Sequence, residues 1–167
     1  LELYSKACDG GESQGCLALA LTFMDDEDRP ENWVKIRDLL GRACEHGNAE
    51  GCFRLGSIWY VGKGGSKDLK RAQESWQKAC DGGDGDGCGV LAELWETGEI
   101  GPKDLAKARE FYGKACGNGS APGCLKGGQL LDAGEGGPKD PAKATEFLAK
   151  ACDGGMAMGC FRVGLHW

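Results

Sequence analysis

Residues 6–16 read KACDGGESQGC, two cysteines eight positions apart around a glycine pair, and the arrangement returns four more times. It stands as RACEHGNAEGC at 42–52, KACDGGDGDGC at 78–88, KACGNGSAPGC at 114–124 and KACDGGMAMGC at 150–160. The first cysteines are Cys8, Cys44, Cys80, Cys116 and Cys152; the second are Cys16, Cys52, Cys88, Cys124 and Cys160. Both series advance by 36 residues without insertion or deletion, and together they use all 10 cysteines. A period between 20 and 50 residues marks a solenoid, in which each unit buries its apolar face only against its neighbours. The 167 residues are therefore expected to form one helical-repeat domain with a continuous core and no linker. It divides into a partial unit 1–12, full units 13–48, 49–84, 85–120 and 121–156, and a partial unit 157–167.

Within a unit, GCFRLGSIWYV (51–61) places Phe53, Leu55, Ile58 and Trp59 at spacings of three and four, and Leu69, Ala72, Trp76, Ala79 and Cys80 follow the same rule. That is the period of a helix face, not of a strand. Each unit is thus two helices. Between them GKGGSKD (62–68), GEIGPKD (98–104) and GEGGPKD (134–140) combine glycine stops with an aspartate suited to capping the next helix. The other junction carries Gly11, Gly47, Gly83, Gly119 and Gly155 in one column, each suited to a left-handed helix end. The spacing predicts helices near 14–24, 32–45, 50–61, 68–81, 86–97, 104–116, 121–133, 140–152 and 157–166. The sequence starts within a second helix and stops within a first, so trimmed ends and missing capping units are expected.

Eight residues along an unbroken helix span about 12 Å, whereas a disulfide needs Cα atoms about 4.4–6.8 Å apart. The intervening glycine supplies the reversal that brings the two cysteines together, so each pair is expected to be a local disulfide. Reduced core cysteines and a metal site stand as alternatives, but neither the CxxC spacing of zinc and redox sites nor a register between His46 and His166 is present. Five even pairs point to an oxidising compartment, although the sequence shows neither a signal peptide nor a transmembrane run.

The unit GCFRLGSIWYVGKGGSKDLKRAQESWQKACDGG resembles the Sel-one-like repeat, a 36-residue relative of the tetratricopeptide repeat, and the flanking cysteines resemble the Helicobacter cysteine-rich protein type. The resemblance covers essentially the whole chain. It implies an all-α, α/α superhelix of antiparallel helix pairs, a tetratricopeptide-like solenoid, with first helices on the concave side and disulfides joining neighbouring helices. It also implies an adaptor or scaffold that binds a protein or an extended peptide, in a secreted or periplasmic setting or the mitochondrial intermembrane space. Some cysteine-rich members are associated with penicillin binding and weak β-lactamase activity. Two departures stand out: DDEDRPEN (25–32) replaces the glycine-rich turn, predicting atypical packing of the first unit, and Gly127 replaces Leu19, Leu55 and Leu91, predicting a looser fourth unit.

Columns that stay apolar are expected in the core. Phe23, Trp59, Trp95, Leu131 and Trp167 form one, for which core packing outweighs a ligand-stacking platform; Tyr4, Leu40, Trp76, Tyr112 and Leu148 form another, and Ala7, Ala43, Ala79, Ala115 and Ala151 allow close approach. A stripe on the first helices instead changes character from unit to unit. Its columns are Gln14, Glu50, Asp86, Pro122 and Met158; Ala18, Arg54, Val90, Lys126 and Arg162; and Leu21, Ser57, Glu93, Gln129 and Leu165. Such a stripe suits solvent or a partner, and the expected partner-binding residues are Glu50, Arg54, Ser57, Asp86, Val90, Glu93, Lys126 and Gln129.

Catalytic signals are thin. SWQK at 75–78 matches the SxxK of serine penicillin-recognising enzymes, making Ser75 and Lys78 the enzyme alternative. SDN and KTG elements are absent, and Ser75 stands in a packing column with Leu3, Leu39, Phe111 and Phe147. Asp25, Asp26, Glu27 and Asp28 lack the spacing of a calcium loop, and GKGG lacks the Ser or Thr of a phosphate loop. No metal or cofactor is expected. A net charge of −6 argues against nucleic acid, KDLKR (67–71) notwithstanding, and no apolar run is long enough to span a membrane.

Overall fold

The structure, a computed structural model, describes residues 1–24 and 32–165; the acidic run 25–28, most of the first loop, His166 and Trp167 lie outside the described residues. It is an all-α, helix-pair repeat, and the described residues contain no strand. The helices are α1 (Glu2–Asp9), α2 (Ser13–Met24), α3 (Asn32–Glu45), α4 (Ala49–Val61), α5 (Leu69–Asp81), α6 (Gly85–Thr97), α7 (Leu105–Gly117), α8 (Ala121–Ala133), α9 (Pro141–Asp153) and α10 (Ala157–Leu165). They gather into two compact units, Leu1–Gly83 and Asp84–Trp167. In the first, α2 pairs with α3 and α4 with α5, while α1 is a second helix packed on α2. In the second, α6 pairs with α7 and α8 with α9, while α10 is a first helix packed on α9.

Two junction types, each written by the sequence, alternate. Where a second helix hands over to a first, Gly11, Gly47, Gly83, Gly119 and Gly155 have φ between 82 and 91°. There the Gly11 N–H donates to Cys8 O (3.0 Å) and the Glu12 N–H to Ala7 O (2.9 Å). This is the paired 5→2 and 6→1 bonding that ends a helix on a left-handed residue. The same two bonds return at Gly47/Asn48, Gly119/Ser120 and Gly155/Met156. The next helix starts on a side-chain cap: Asn48, Asp84 and Ser120 accept from the N–H of Gly51, Gly87 and Gly123.

Where a first helix hands over to a second, Gly62, Gly98 and Gly134 close it in the left-handed region. Asp68, Asp104 and Asp140 then cap the second helix by accepting from Arg71, Lys107 and Lys143 N–H. GKGG is thus a helix stop, as its glycines suggest.

Packing follows the columns. In the first unit Leu17, Ile36 and Leu40 are at most 1% exposed, and Trp76 lies against Gly56, where a Cβ would sit 2.6 Å from the indole. In the second unit Tyr112, Leu130, Ala92 and Ala108 form one cluster, and Leu131, Phe147 and Ala144 belong to another. A further glycine column, which periodicity alone had not singled out, sets the helix approach. A Cβ on Gly15, Gly51 or Gly123 would come within 2.5, 2.9 and 2.5 Å of the Cβ of Ala7, Ala43 and Ala115. The looseness expected at Gly127 is absent: the Phe147 ring, 3.0 Å from where its Cβ would be, fills the space. The expected consequence of DDEDRPEN lies almost wholly outside the described residues.

Candidate functional site

The reversal at each second-to-first junction brings sulfur to sulfur. Cys8–Cys16, Cys44–Cys52, Cys116–Cys124 and Cys152–Cys160 are disulfides with Cα–Cα distances of 4.4, 4.5, 4.3 and 4.6 Å. Cys80 and Cys88 are likewise disulfide-bonded, and no cysteine is free. The alternatives of reduced core thiols and thiolate metal ligands are thereby set aside, since no thiolate is left to coordinate or attack. A disulfide-rich architecture of this kind belongs to an oxidising, extracytoplasmic setting.

The variable stripe lies on α4, α6 and α8. In the first unit Glu50, Arg54 and Ser57 follow one another along α4, and Glu50 Oε1 accepts from both Arg54 Nε (2.9 Å) and Nη2 (2.8 Å). Ser57 Oγ donates back to Phe53 O at 3.1 Å. In the second unit Asp86, Val90 and Glu93 run along α6, and Lys126 and Gln129 along α8. Glu50, Asp86, Glu93 and Lys126 are exposed, whereas Arg54, Ser57, Val90 and Gln129 are half-buried.

Part of this stripe serves the repeat itself. Lys126 Nζ lies 3.7 Å from Glu96 Oε2, which also accepts the Tyr112 hydroxyl at 2.5 Å. Arg162 repeats the contact one unit on, 3.9 Å from Asp132, and Ser120 Oγ donates to Asp86 at 3.3 Å. Burial, reinforced by the hydrogen bond and the charges of Glu96 and Glu93, pushes the Tyr112 phenol far above its ordinary range. Glu96 and Asp132 were missed by the sequence reading, although they stand 36 apart and both are acidic.

The aromatic column is a structural clasp. Phe23, Trp59 and Trp95 are half-buried and Leu131 is buried. Each ring carries a cation from the start of the following second helix: Lys35 over Phe23 at 4.0 Å, Arg71 over Trp59 at 4.6 Å and Lys107 over Trp95 at 3.9 Å. Arg37 lies 4.2 Å from the Trp59 ring as well. The Asp68, Asp104 and Asp140 N–H groups meanwhile donate to the carbonyls of Trp59, Trp95 and Leu131. Ring, cation and capping carboxylate thus fasten the two helices of a unit together, and the ring faces are already covered. The Lys35, Arg71, Lys107 column was legible at 36-residue spacing but was not read.

Ser75, in α5, is 7% exposed, and its hydroxyl donates to Arg71 O at 2.8 Å, as a mid-helix serine does to the preceding turn. Lys78 is exposed on the same helix. Of the KDLKR run, Lys67 lies over Tyr60 and Arg71 pairs with Asp68 at 3.4 Å. No group of three or more metal-ligating side chains comes together among the described residues. No described helix is long and apolar enough to cross a membrane.

Open hollows lie between successive second helices, away from the stripe. One of about 430 Å³ is lined by Val34, Arg37, Leu55, Trp59 and Arg71 in the first unit. Another of about 580 Å³ is lined by Arg109, Lys114, Leu131, Gly136, Lys143 and Phe147 in the second. The second hollow's lining includes the i,i+4 ion pair Lys114–Glu110 at 2.8 Å. On α9 the Lys150–Glu146 pair at 2.7 Å holds the Glu146 carboxyl below its ordinary range.

Helix pairs of fixed period, clasped by local disulfides at the hand-overs within each unit, define a disulfide-stabilised helical-repeat scaffold. The Sel1 repeat model matches residues 1–12, 49–84, 88–120 and 123–156, and the chain belongs to the Sel1 repeat family. Among solved structures it is similar to Helicobacter pylori cysteine rich protein B, at 31% identity and a TM-score of 0.63 over 78% of this chain and 94% of that one. A Sel1 repeat protein from Oxalobacter formigenes shares the fold with a TM-score of 0.76 at 21% identity, over 91% of this chain and 62% of that one. So does a protective antigen of uropathogenic Escherichia coli strains displaying an SLR fold, with a TM-score of 0.53 at 24% identity over 98% of this chain and 43% of that one. The chain therefore spans less than two thirds of the length of these last two proteins. Comparison with curated protein sequences returns no match.

Proposed function

We propose that this chain is a scaffold or adaptor that holds a protein or an extended peptide against its first helices, the side that is concave in the family to which it belongs. The observation that carries the reading is the contrast between columns. Packing columns repeat from unit to unit, whereas Glu50, Arg54, Ser57, Asp86, Val90, Glu93, Lys126 and Gln129 differ between units and reach solvent in whole or in part. A packing surface repeated in every unit has no need of such variation, while recognition of an irregular partner does. The stripe is mixed in sign, so it suits a partner presenting both charges or the backbone groups of an extended segment. Lys126 and Asp86 already have partners across neighbouring helices, at 3.7 and 3.3 Å. A ligand would compete for them, and for the Glu50–Arg54 pair at 2.8 Å on α4, which makes Glu93, exposed on α6, the more accessible determinant.

The oxidising compartment is proposed to be the secreted or periplasmic space, with the mitochondrial intermembrane space as the other setting that forms such disulfides. Selecting binders from a displayed library of random peptides and mapping backbone amide shifts on titration tests the binding face. Shifts centred on α4, α6 and α8 are expected, with weaker binding by Glu50→Lys and Glu93→Lys. Shifts confined to α5, α7 and α9 or to the chain ends would sink the assignment.

A further inference from the structure

The hollows α3–α5 and α7–α9 are built on one plan, each walled by complete helix pairs of its own unit. At the centre a glycine leaves out a side chain: Gly41 and Gly113 stand in the column of Ser5, Gln77 and Ala149, and nothing lies within 4 Å of a Cβ on either. On the rim an arginine rests against a loop glycine. A Cβ on Gly65 would stand 2.7 Å from Arg37 Nη1, and one on Gly137 3.0 Å from Arg109 Nη1. The next second helix adds a further cation, Arg71 or Lys143. In a chain of net charge −6, the α7–α9 hollow is thus lined by Arg109, Lys114 and Lys143 against a single carboxylate, Glu110. Glu110 is taken up by Lys114 at 2.8 Å. Lys143 Nζ lies over the Phe147 ring at 5.8 Å, and Glu146, one turn on, is held by Lys150 at 2.7 Å. Neither Lys143 nor Arg109 forms an ion pair among the described residues. Arg109 gives Nη1 to Pro138 O at 2.8 Å, which leaves Nε and Nη2 for a further acceptor. Leu131 and Phe147, 2 and 8% exposed, close the apolar bottom.

We propose that the α7–α9 hollow docks an acidic, apolar peptide segment of a partner protein, one that presents a glutamate or aspartate beside a bulky apolar side chain. The carboxylate takes the fork of Arg109, whose planar guanidinium matches two oxygens, with Lys143 as the second positive charge. The apolar side chain enters over Gly113 onto Leu131 and Phe147. Charge complementarity selects this occupant, because a basic or neutral segment would cover Arg109 and Lys143 without compensating them. The α3–α5 hollow is the weaker copy: Arg71 is already paired with Asp68 at 3.4 Å and Arg42 with Asp9 at 3.2 Å. This second-helix site is separate from the first-helix stripe and stands or falls without it.

Titrating the oxidised chain with the peptide acetyl-Gly-Glu-Phe-Glu-Gly-amide and following backbone amide shifts tests this. Shifts centred on Arg109, Gly113, Gly137 and Lys143 are expected, weakening as salt rises. The Gln-Phe-Gln and Glu-Ala-Glu versions of the peptide are each expected to bind at least fivefold more weakly, and inorganic phosphate at the same concentration to leave Gly113 unmoved. Gly113→Glu fills the hollow with a carboxylate of the chain's own, and Lys143→Glu reverses the charge of the rim. Each variant, checked for unchanged helicity, is expected to bind at least tenfold more weakly, while Gly113→Ala stays within threefold of wild type. Shifts that phosphate reproduces, equal binding of the Gln-Phe-Gln peptide, no shift in the hollow, or binding that survives both charge substitutions would overturn the proposal.

Discussion

Adding one methyl group to Gly123 tests the junction most sharply. Its Cβ would stand 2.5 Å from Ala115 Cβ and 3.4 Å from Cys116 N, and ordinary carbon contacts are about 3.5–4.0 Å. Relief requires α7 and α8 to separate by about 1 Å, yet the Cys116–Cys124 bond ties them with a Cα–Cα distance of 4.3 Å. Overpacking of this kind costs about 1–3 kcal/mol. Against it stands the gain of about 1 kcal/mol that alanine brings over glycine inside a helix. Gly113, inside α7, isolates that gain, since a Cβ there meets nothing within 4 Å. Gly113→Ala is therefore expected to stabilise by about 0.5–1 kcal/mol, and Gly123→Ala to be less stable than Gly113→Ala by about 1–3 kcal/mol, the cost of the clash. Urea midpoints at unchanged slope measure both. Combining Gly123→Ala with Ala115→Gly should recover part of the loss as a favourable coupling in a double-mutant cycle. Equal stabilisation by the two single substitutions, or no coupling, would refute the argument that the glycine column sets the helix approach.

Replacing Cys116 and Cys124 together by alanine is expected to cost about 2–3 kcal/mol through the lost closure of a nine-residue loop, and non-reducing peptide mapping should recover five local pairs, Cys80 with Cys88 included; long-range pairings would contradict the geometry. Tyr112 titrates above its unfolded value, so the fold favours its neutral form: that contribution is complete below about pH 10 and is lost as pH rises past it. Stability against urea should fall more steeply above that pH for the wild type than for Tyr112→Phe. With its hydroxyl given to Arg71 O, Ser75 is expected to form no acyl adduct: incubation with a chromogenic β-lactam should show no turnover by wild type or Ser75→Ala, and an adduct on Ser75 would revive the enzyme reading.

The sequence by itself determined what depends on neighbours along the chain. The 36-residue step of the cysteines set the repeat, and the spacing of Leu69, Ala72, Trp76 and Ala79 set the helix. Gly11 and its equivalents set the reversal, and the reversal set the disulfide. Asp68, Asp104 and Asp140 announced the caps, because a cap is a contact between residues three apart. In a repeat architecture each unit touches only the next, so a period carries most of the topology. The exposed stripe on the first helices was legible for the same reason, as the part of the period that does not repeat.

What only the tertiary structure decided are the contacts whose partners lie on different helices and whose distance depends on how those helices cross. Nothing local told that Lys126 reaches back to Glu96, that Lys35, Arg71 and Lys107 cover the rings of Phe23, Trp59 and Trp95, or that Phe147 fills the gap left by Gly127. The packing column already placed Ser75 on the inward face, and the structure adds that its hydroxyl donates to Arg71 O. A column names which residues share a face; the interhelical distance, set by where a glycine lets two backbones meet, decides which of them touch.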